Sequence, residues 1–109
     1  MKRGDLITVA LPGDYGKPRP AIVIETDLLV ATESVLIVLI TSDVQTEIVQ
    51  RRVLVEPSPE NGLRATSQIQ VDKIFAVKRH KCGEVFGHID CDTIEQLNIA
   101  LALIIGLLD

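Results

Sequence analysis

The chain has 109 residues, of which 47% are hydrophobic and 24% are charged, and its formal net charge is −4. This length predicts a single domain, residues 1–109, and the apolar share excludes a wholly disordered chain. The acidic balance argues against a protein that coats DNA with positive charge, and an aromatic content of 3% excludes a broad platform for stacking bases.

The pattern of apolar segments predicts a cytoplasmic protein. The basic residues at the start are followed by Asp5 and only a short apolar run, so we expect no signal peptide. The longest apolar segment, 97–108, is shorter than the roughly 20 residues that a membrane helix needs. We therefore expect no contact with a membrane.

Aliphatic runs separated by turn-forming residues predict strands through most of the chain. A loop rich in Gly and Pro at 12–18 separates the first two strands, and a turn at 81–83 predicts a hairpin between the last two. The predicted strands are 5–11, 21–25, 35–40, 49–55, 65–71, 74–77 and 85–89.

The C-terminal segment changes to a helical period. Apolar residues recur there at spacings of three and four, at Ile94, Leu97, Leu101, Ile104 and Leu108. Asp92 and Glu95 resemble a capping box, which predicts that the helix starts at that point. Further apolar residues surround most of the helix, so either its own sheet or a second subunit must cover it. The predicted fold is mostly β, a small and strongly curved antiparallel sheet or barrel with a C-terminal helix.

Arg19 is the first candidate functional residue, because it stands between two prolines at the start of the second strand. Pro18 fixes its own φ, and Pro20 drives Arg19 toward an extended backbone. The restricted backbone limits the directions that the guanidinium can take, so little conformational entropy is lost when it binds a ligand. The planar guanidinium can donate two parallel hydrogen bonds, which suits a phosphate. The alternative is an arginine at a strand edge that makes a salt bridge.

Two further polar groups follow or form strands. Thr41 and Ser42 come at the end of the third strand, where hydroxyls either bond to a phosphate oxygen or form an ordinary turn. Alternation along the later strand places Gln68, Gln70 and Asp72 on one face, opposite the aliphatic residues. That polar face lines a groove or is simply exposed to solvent.

In this order, these segments resemble the MazF/PemK family of toxin endoribonucleases from bacterial toxin–antitoxin modules. The resemblance covers essentially the whole chain and is carried by Arg3-Gly4-Asp5, Lys17-Pro18-Arg19-Pro20, Thr41-Ser42, Gly62-Leu63, Ser67-x-Ile69-x-Val71-Asp72-x-Ile74 and Leu103-x-x-Gly106-Leu107. It implies a CcdB/MazF-like, SH3-like barrel fold and homodimers. It also implies metal-independent cleavage of single-stranded RNA and neutralisation by a cognate antitoxin.

The resemblance also assigns roles to single residues. The catalytic arginine of the family falls on Arg19 and its hydroxyl partner on Thr41, and Asp72 matches the carboxylate that some members place after an arginine on the later strand. This chain has Gln70 where those members have that arginine. We expect the RNA to be bound by Lys17, Ser42, Gln70 and Arg79. The RNA would supply its own nucleophile, the 2′-OH, which leaves a cyclic phosphate.

Three alternatives stay open at this point. Four residues around the predicted hairpin, His80, Cys82, His88 and Cys91, are possible zinc ligands, but their spacing matches no common finger pattern, so we expect no metal and no other cofactor. The same fold also serves a gyrase-poisoning protein that binds without chemistry and acts through a tryptophan-containing C-terminus. This chain has no tryptophan. The third alternative is a catalytically inactive family member.

Overall fold

Six strands and one α-helix form in the computed structural model, which describes residues 1–29, 32–47 and 52–109. They are β1 (Asp5–Ala10), β2 (Pro18–Val23), β3 (Ser34–Thr41), β4 (Arg52–Val55), β5 (Ser67–Lys78), β6 (Cys82–His88) and α1 (Cys91–Ile104). All strand pairs are antiparallel, in the order β4-β5-β3-β2-β1-β6. This confirms the predicted mostly-β fold with a C-terminal helix, but the sheet is open rather than closed into a barrel.

Both faces of the central strands are buried, which explains their uninterrupted aliphatic runs. One face packs against α1 and includes Leu6, Ile22 and Val38, which contact a core that also holds Leu97 of the helix. The other face carries a second core that includes Ile37 and Leu39. Arg19 and Thr41 alternate onto this second face, away from the helix.

The two predicted strands at 65–71 and 74–77 are one strand, β5. Its pairing with β3 shifts between Val38, which faces Ile74, and Leu39, which faces Gln70. Three residues of β5, 71–73, therefore stand opposite a single peptide of β3. Such a bulge bends a strand without ending it, so the polar residues at 72 and 73 interrupt the aliphatic pattern but not the strand.

The predicted hairpin between 74–77 and 85–89 is wrong. A 3-10 turn at Arg79–Lys81 carries the chain away from β5, and β6 pairs with β1, where Asp5 faces His88. The predicted second strand at 21–25 also shifts, because β2 begins at Pro18 and so includes Arg19. Residues 49–51 of the predicted fourth strand lie outside the described residues, and Arg52–Val55 form β4.

The helix begins two residues earlier than the capping box at Asp92 and Glu95 predicts. Asp90 is the N-cap residue, and its carboxylate accepts a hydrogen bond of 2.8 Å from the backbone N–H of Thr93. Asp92 lies inside the first turn, where its negative charge interacts favourably with the positive end of the helix dipole. The helix ends before Gly106, whose φ is 81°, so Leu108 lies beyond it. No helix in the described ranges has the length and apolar content needed to cross a membrane.

The segment between β4 and β5 links the two edges of the open sheet. Its Glu60 carbonyl accepts a hydrogen bond of 2.9 Å from the backbone N–H of His88 in β6. Asn61 is buried, and its side chain bonds to the backbone of Glu56, Ser58 and Leu63. The segment thus crosses from one edge strand to the other without adding a strand.

Candidate active site

Arg19 is fixed in an extended backbone by its place in β2. It faces Val9 of β1, and both flanking prolines also stand in the β1–β2 register. Ala21 faces Leu39 of β3, so the same register continued by two residues sets Arg19 beside Thr41. The two residues that the sequence singled out therefore come together at one end of the β2–β3 pair.

The loop before β2 brings a carboxylate to Arg19. Nη1 of Arg19 donates to Oδ2 of Asp14 at 3.4 Å, and the Arg19 side chain remains 39% exposed. A compact turn holds Asp14, because Lys17 N–H donates to the Asp14 carbonyl at 2.9 Å and Tyr15 takes a φ of 53°. Ion pairs this exposed are weak, so Arg19 keeps most of its capacity to bind an anion.

Thr41 presents its hydroxyl at the end of β3. Its Oγ1 accepts a hydrogen bond of 3.1 Å from the backbone N–H of Asp43, which leaves the hydroxyl hydrogen to donate elsewhere. Ser42 is exposed beside it. The predicted turn and the predicted phosphate-binding hydroxyl are thus compatible in the same residue.

A buried glutamine holds the loop that follows Thr41, a role that sequence reasoning missed. Gln68 exchanges two hydrogen bonds with the backbone of Gln45, at 2.8 and 3.1 Å. Arg52 Nη1 donates to the Gln68 side chain at 3.0 Å and to the Asp43 carbonyl at 2.9 Å. The polar alternation of β5 revealed the face of Gln68, but only the fold shows that the loop covers it.

Gln70 lies on the same face as Arg19, between Leu39 of β3 and Arg52 of β4. Its Oε1 is buried and has no hydrogen-bond partner among the described residues. Buried polar atoms are rarely left unpaired. Gln70 therefore keeps one unsatisfied acceptor on the face that carries Arg19.

A groove of about 540 Å³ connects the cationic residues of this face. Arg19, Asp14 and Lys73 supply its polar lining, and the rest is apolar, from Leu11, Pro12, Leu39, Phe75 and Ala76. Asp72 is exposed and is not among the lining residues, whereas its neighbour Lys73 is. Lys17 is exposed in the loop next to Pro18. Asp14, Lys73 and Phe75 were missed because loop closure and the β5 bulge bring them here.

The structure does not bring Arg79 to this groove. Its guanidinium donates to the backbone carbonyl and, at 3.1 Å, to the hydroxyl of Thr32, and it pairs with Glu25 at 3.6 Å. Lys78, the residue before it, faces Ser34 at the opposite end of β3 from Thr41. Arg79 therefore ties the connection between β2 and β3 to the end of β5.

The residues of the zinc alternative do not form a metal site. Within the part of the chain that the structure describes, no three His, Cys, Asp or Glu side chains gather as a group that could hold a metal ion. Burial raises the pKa of the Cys82 thiol, and the nearby positive charge of Arg79 opposes this only in part.

Comparison with known proteins places the chain in a family. Residues 2–105 match the model of the PemK-like, MazF-like toxin of type II toxin–antitoxin systems. The chain is 35% identical over 108 residues to a probable endoribonuclease MazF of Mycolicibacterium smegmatis, covering 98% of both proteins.

Solved structures share the fold at lower identity. An endoribonuclease in complex with its cognate antitoxin, from a mycobacterial species, aligns with a TM-score of 0.83 at 22% identity, covering 98% of this chain and 96% of that one. A MazE–MazF structure from Deinococcus radiodurans aligns with a TM-score of 0.77 at 16% identity, covering 97% and 95%. With the family match over residues 2–105 and a 35% identical relative, the chain belongs to the PemK/MazF family of type II toxins.

Proposed function

We propose that this protein is a metal-independent endoribonuclease that cuts single-stranded RNA as the toxin of a toxin–antitoxin pair. The observation that carries the proposal is the position of Arg19, whose half-exposed guanidinium lines a groove at the end of β2. The β2–β3 register, continued by two residues, sets Thr41 beside it. The 35% identical relative, which bears the name of an endoribonuclease, supports the same activity.

The reaction follows from what these groups can do. The 2′-OH of the RNA attacks the adjacent phosphorus and loses its proton, the bond from phosphorus to the 5′ oxygen breaks, and that oxygen takes up a proton. A 2′,3′-cyclic phosphate remains on one fragment. Arg19 stabilises the added charge on the phosphorane, and the Thr41 hydroxyl donates to a non-bridging oxygen. DNA is not cut by this mechanism because it lacks the 2′-OH.

Asp14 is the residue that we assign to receive the proton from the 2′-OH. A guanidinium stays protonated in proteins and therefore makes a poor base, whereas the Asp14 carboxylate lies 3.4 Å from Arg19 and lines the same groove. Asp72, the carboxylate that the resemblance suggested, does not line the groove. We assign Asp72 to contact with the RNA near the groove instead of proton transfer.

The RNA contacts that we propose follow the same face of the sheet. Lys17 and Ser42 flank Arg19 and Thr41 in sequence, and Gln70 offers its unpaired Oε1. Arg79 is left out of the proposed site, since its guanidinium is held by Thr32 and Glu25.

We further propose a homodimer in the cytoplasm that a cognate antitoxin neutralises. The structural neighbours include a mycobacterial endoribonuclease in complex with its cognate antitoxin and a MazE–MazF structure from Deinococcus radiodurans. An acidic antitoxin segment would compete with RNA for the cationic groove. The gyrase-binding alternative has no support in these comparisons, whose named activity is that of an endoribonuclease.

The experiment that tests the proposal incubates the purified protein with a long RNA in EDTA and identifies the new ends by mass spectrometry. We expect cleavage with 2′,3′-cyclic phosphate or its 3′-phosphate hydrolysis product. Cleavage that requires added Mg²⁺, or fragments with other ends, contradicts the mechanism. An intact RNA supports the alternative of a binding protein without catalysis.

A further inference from the structure

The groove beside Arg19 has an aromatic wall that the cleavage mechanism does not use. We propose that Phe75 is an RNA-binding residue on which one base of the RNA stacks, next to the phosphate held by Arg19 and Lys73. This inference rests on the proposed function and deepens it.

Phe75 is exposed although the β3 residues beside it on the same face are buried. It faces Ile37 of β3, and Ile37 and the adjacent Leu39 belong to the buried core of this face. The Phe75 side chain is 38% exposed. The fold thus leaves a ring open at the edge of an otherwise covered aliphatic surface, where a flat apolar molecule can lie on it.

The charges around Phe75 favour a nucleotide as the molecule that covers it. Phe75, Lys73 and Arg19 line one groove of about 540 Å³. Lys73 has no ion pair among the described residues, and Arg19 has only the long contact with Asp14. An aromatic face beside two cations matches the two halves of a nucleotide, a base and its phosphate. An apolar protein side chain would cover the ring but would give Lys73 no anion and Arg19 none besides Asp14.

The order of residues along β5 sets the spacing of these parts. Lys73 is the last residue of the bulge and Phe75 lies two residues further on, so their Cα atoms are at most about 7 Å apart. Successive phosphates in an extended single strand are separated by a similar distance, so one nucleotide step covers the path from Lys73 past the ring. Because every base has an aromatic face, this stacking tolerates many bases, and purines, which have the larger ring system, should bind best.

The test uses Phe75→Ala and Phe75→Leu, with Phe86→Ala as the matched control. Phe86 is 40% exposed, almost as much as Phe75, but it lies on β6 and does not line the groove. The probe is a short RNA that contains a mapped cleavage site and carries 2′-deoxyribose at the cut, so that it binds without reacting. Thermal unfolding confirms that each variant is folded, and Phe75→Leu keeps the apolar bulk if the alanine variant is unstable.

We expect both Phe75 variants to bind the probe about tenfold more weakly, within the range for the loss of one stacked base, and Phe86→Ala to bind as the parent does. Abasic nucleotides placed one at a time around the cut should weaken binding to the parent at one position. At that position alone, Phe75→Ala should bind the abasic probe as tightly as it binds the complete probe.

Two results overturn the proposal. One is unchanged probe affinity in both Phe75 variants. The ring would then not contact a base, whether another protein surface covers it or it stays exposed to solvent. The other is an equal penalty at every abasic position in the parent and in Phe75→Ala. If the parent cuts RNA but either result is obtained, only the stacking proposal fails. If the parent neither binds nor cuts RNA, the proposed function fails as well.

Discussion

Arg19 combines a positive charge with a planar pair of donors, and the two can be separated by substitution. Arg19→Lys keeps the charge but loses the bidentate fork. We expect it to remain folded and to cut RNA at least about 100-fold more slowly, the usual cost of losing one transition-state donor. Arg64→Lys is the control, since Arg64 is exposed in the segment between β4 and β5. Cleavage by Arg19→Lys near the parent rate would remove Arg19 from the mechanism.

Substitutions of Asp14 and Asp72 are expected to change different properties, the cleavage rate in one case and the choice of RNA site in the other. Asp14→Asn should slow cleavage about 100-fold or more, as for the loss of a general base, while leaving affinity for RNA nearly intact. Asp72→Asn should have the smaller effect on rate and should change which RNA sites are cut. Single-turnover cleavage of one mapped RNA measures the first, and sequencing of the fragment ends measures the second. A larger loss of rate in Asp72→Asn than in Asp14→Asn would reverse the two assignments.

These side chains also show how far a sequence can lead at this scale. The orientation of Arg19 was predictable because the two flanking prolines restrict its backbone to an extended conformation. Asp14 was not, because its approach to Arg19 depends on a tight loop with left-handed backbone at Tyr15. Gln68 was placed on the correct face of its strand, but its burial depends on contact with Gln45, 23 residues away.

Between elements, the clearest steric constraint is the contact of Gly87 in β6 with the segment that follows β4. A Cβ at Gly87 would lie 2.2 Å from the backbone oxygen of Asn61. Gly87 does not have a left-handed backbone, so Gly87→Ala probes this contact alone. We expect the melting temperature to fall by roughly 5–15 °C, from an overpacking cost of about 1–3 kcal/mol. An unchanged melting temperature would show that the segment does not hold the two sheet edges together.

The N-cap of α1 should make stability depend on pH. Hydrogen bonds from the side chain and backbone of Thr93 lower the pKa of Asp90 below its usual value of 3.8. The stabilisation is therefore present above pH 3.8 and is lost as the pH falls through the lowered pKa. Asp90→Ala should unfold at a lower urea concentration than the parent at pH 6, with the difference shrinking at pH 2.5. Asp92→Ala is the control and should show less change at pH 6, because Asp92 is not the cap.

Elements were easier to predict than their partners. Aliphatic runs revealed most of the strands, because burial on both faces leaves a local signal. Nothing local reveals that β6 pairs with β1, because that choice depends on the path of the 3-10 turn at Arg79–Lys81. The bulge at 71–73 was not predictable for the same reason, because it is defined by the register with β3. The sequence pattern therefore indicated two strands where there is one.

The whole molecule carries an apolar surface on and beyond α1 that its own sheet does not cover. The exposed residues there are Ile99, Leu103, Ile105, Leu107 and Leu108. Their run along the helix was visible in the sequence, which left its own sheet and a second subunit as the candidates to cover it. The sheet buries only part of the helix, at Leu97 and Ala100. An exposed patch of this kind marks an association surface.

The last prediction therefore concerns assembly, with a second copy of the chain as the partner. We expect a dimer by sedimentation at micromolar concentration and at least partial dissociation in Leu103→Lys, since a charge would then be buried without a partner. Leu103 is 53% exposed on α1, whereas Leu28, 89% exposed between β2 and β3, is the matched leucine outside the patch, so Leu28→Lys should remain dimeric. A monomeric parent would refute the dimer. Equal sedimentation of parent and Leu103→Lys as dimers would instead locate the subunit contact on another face.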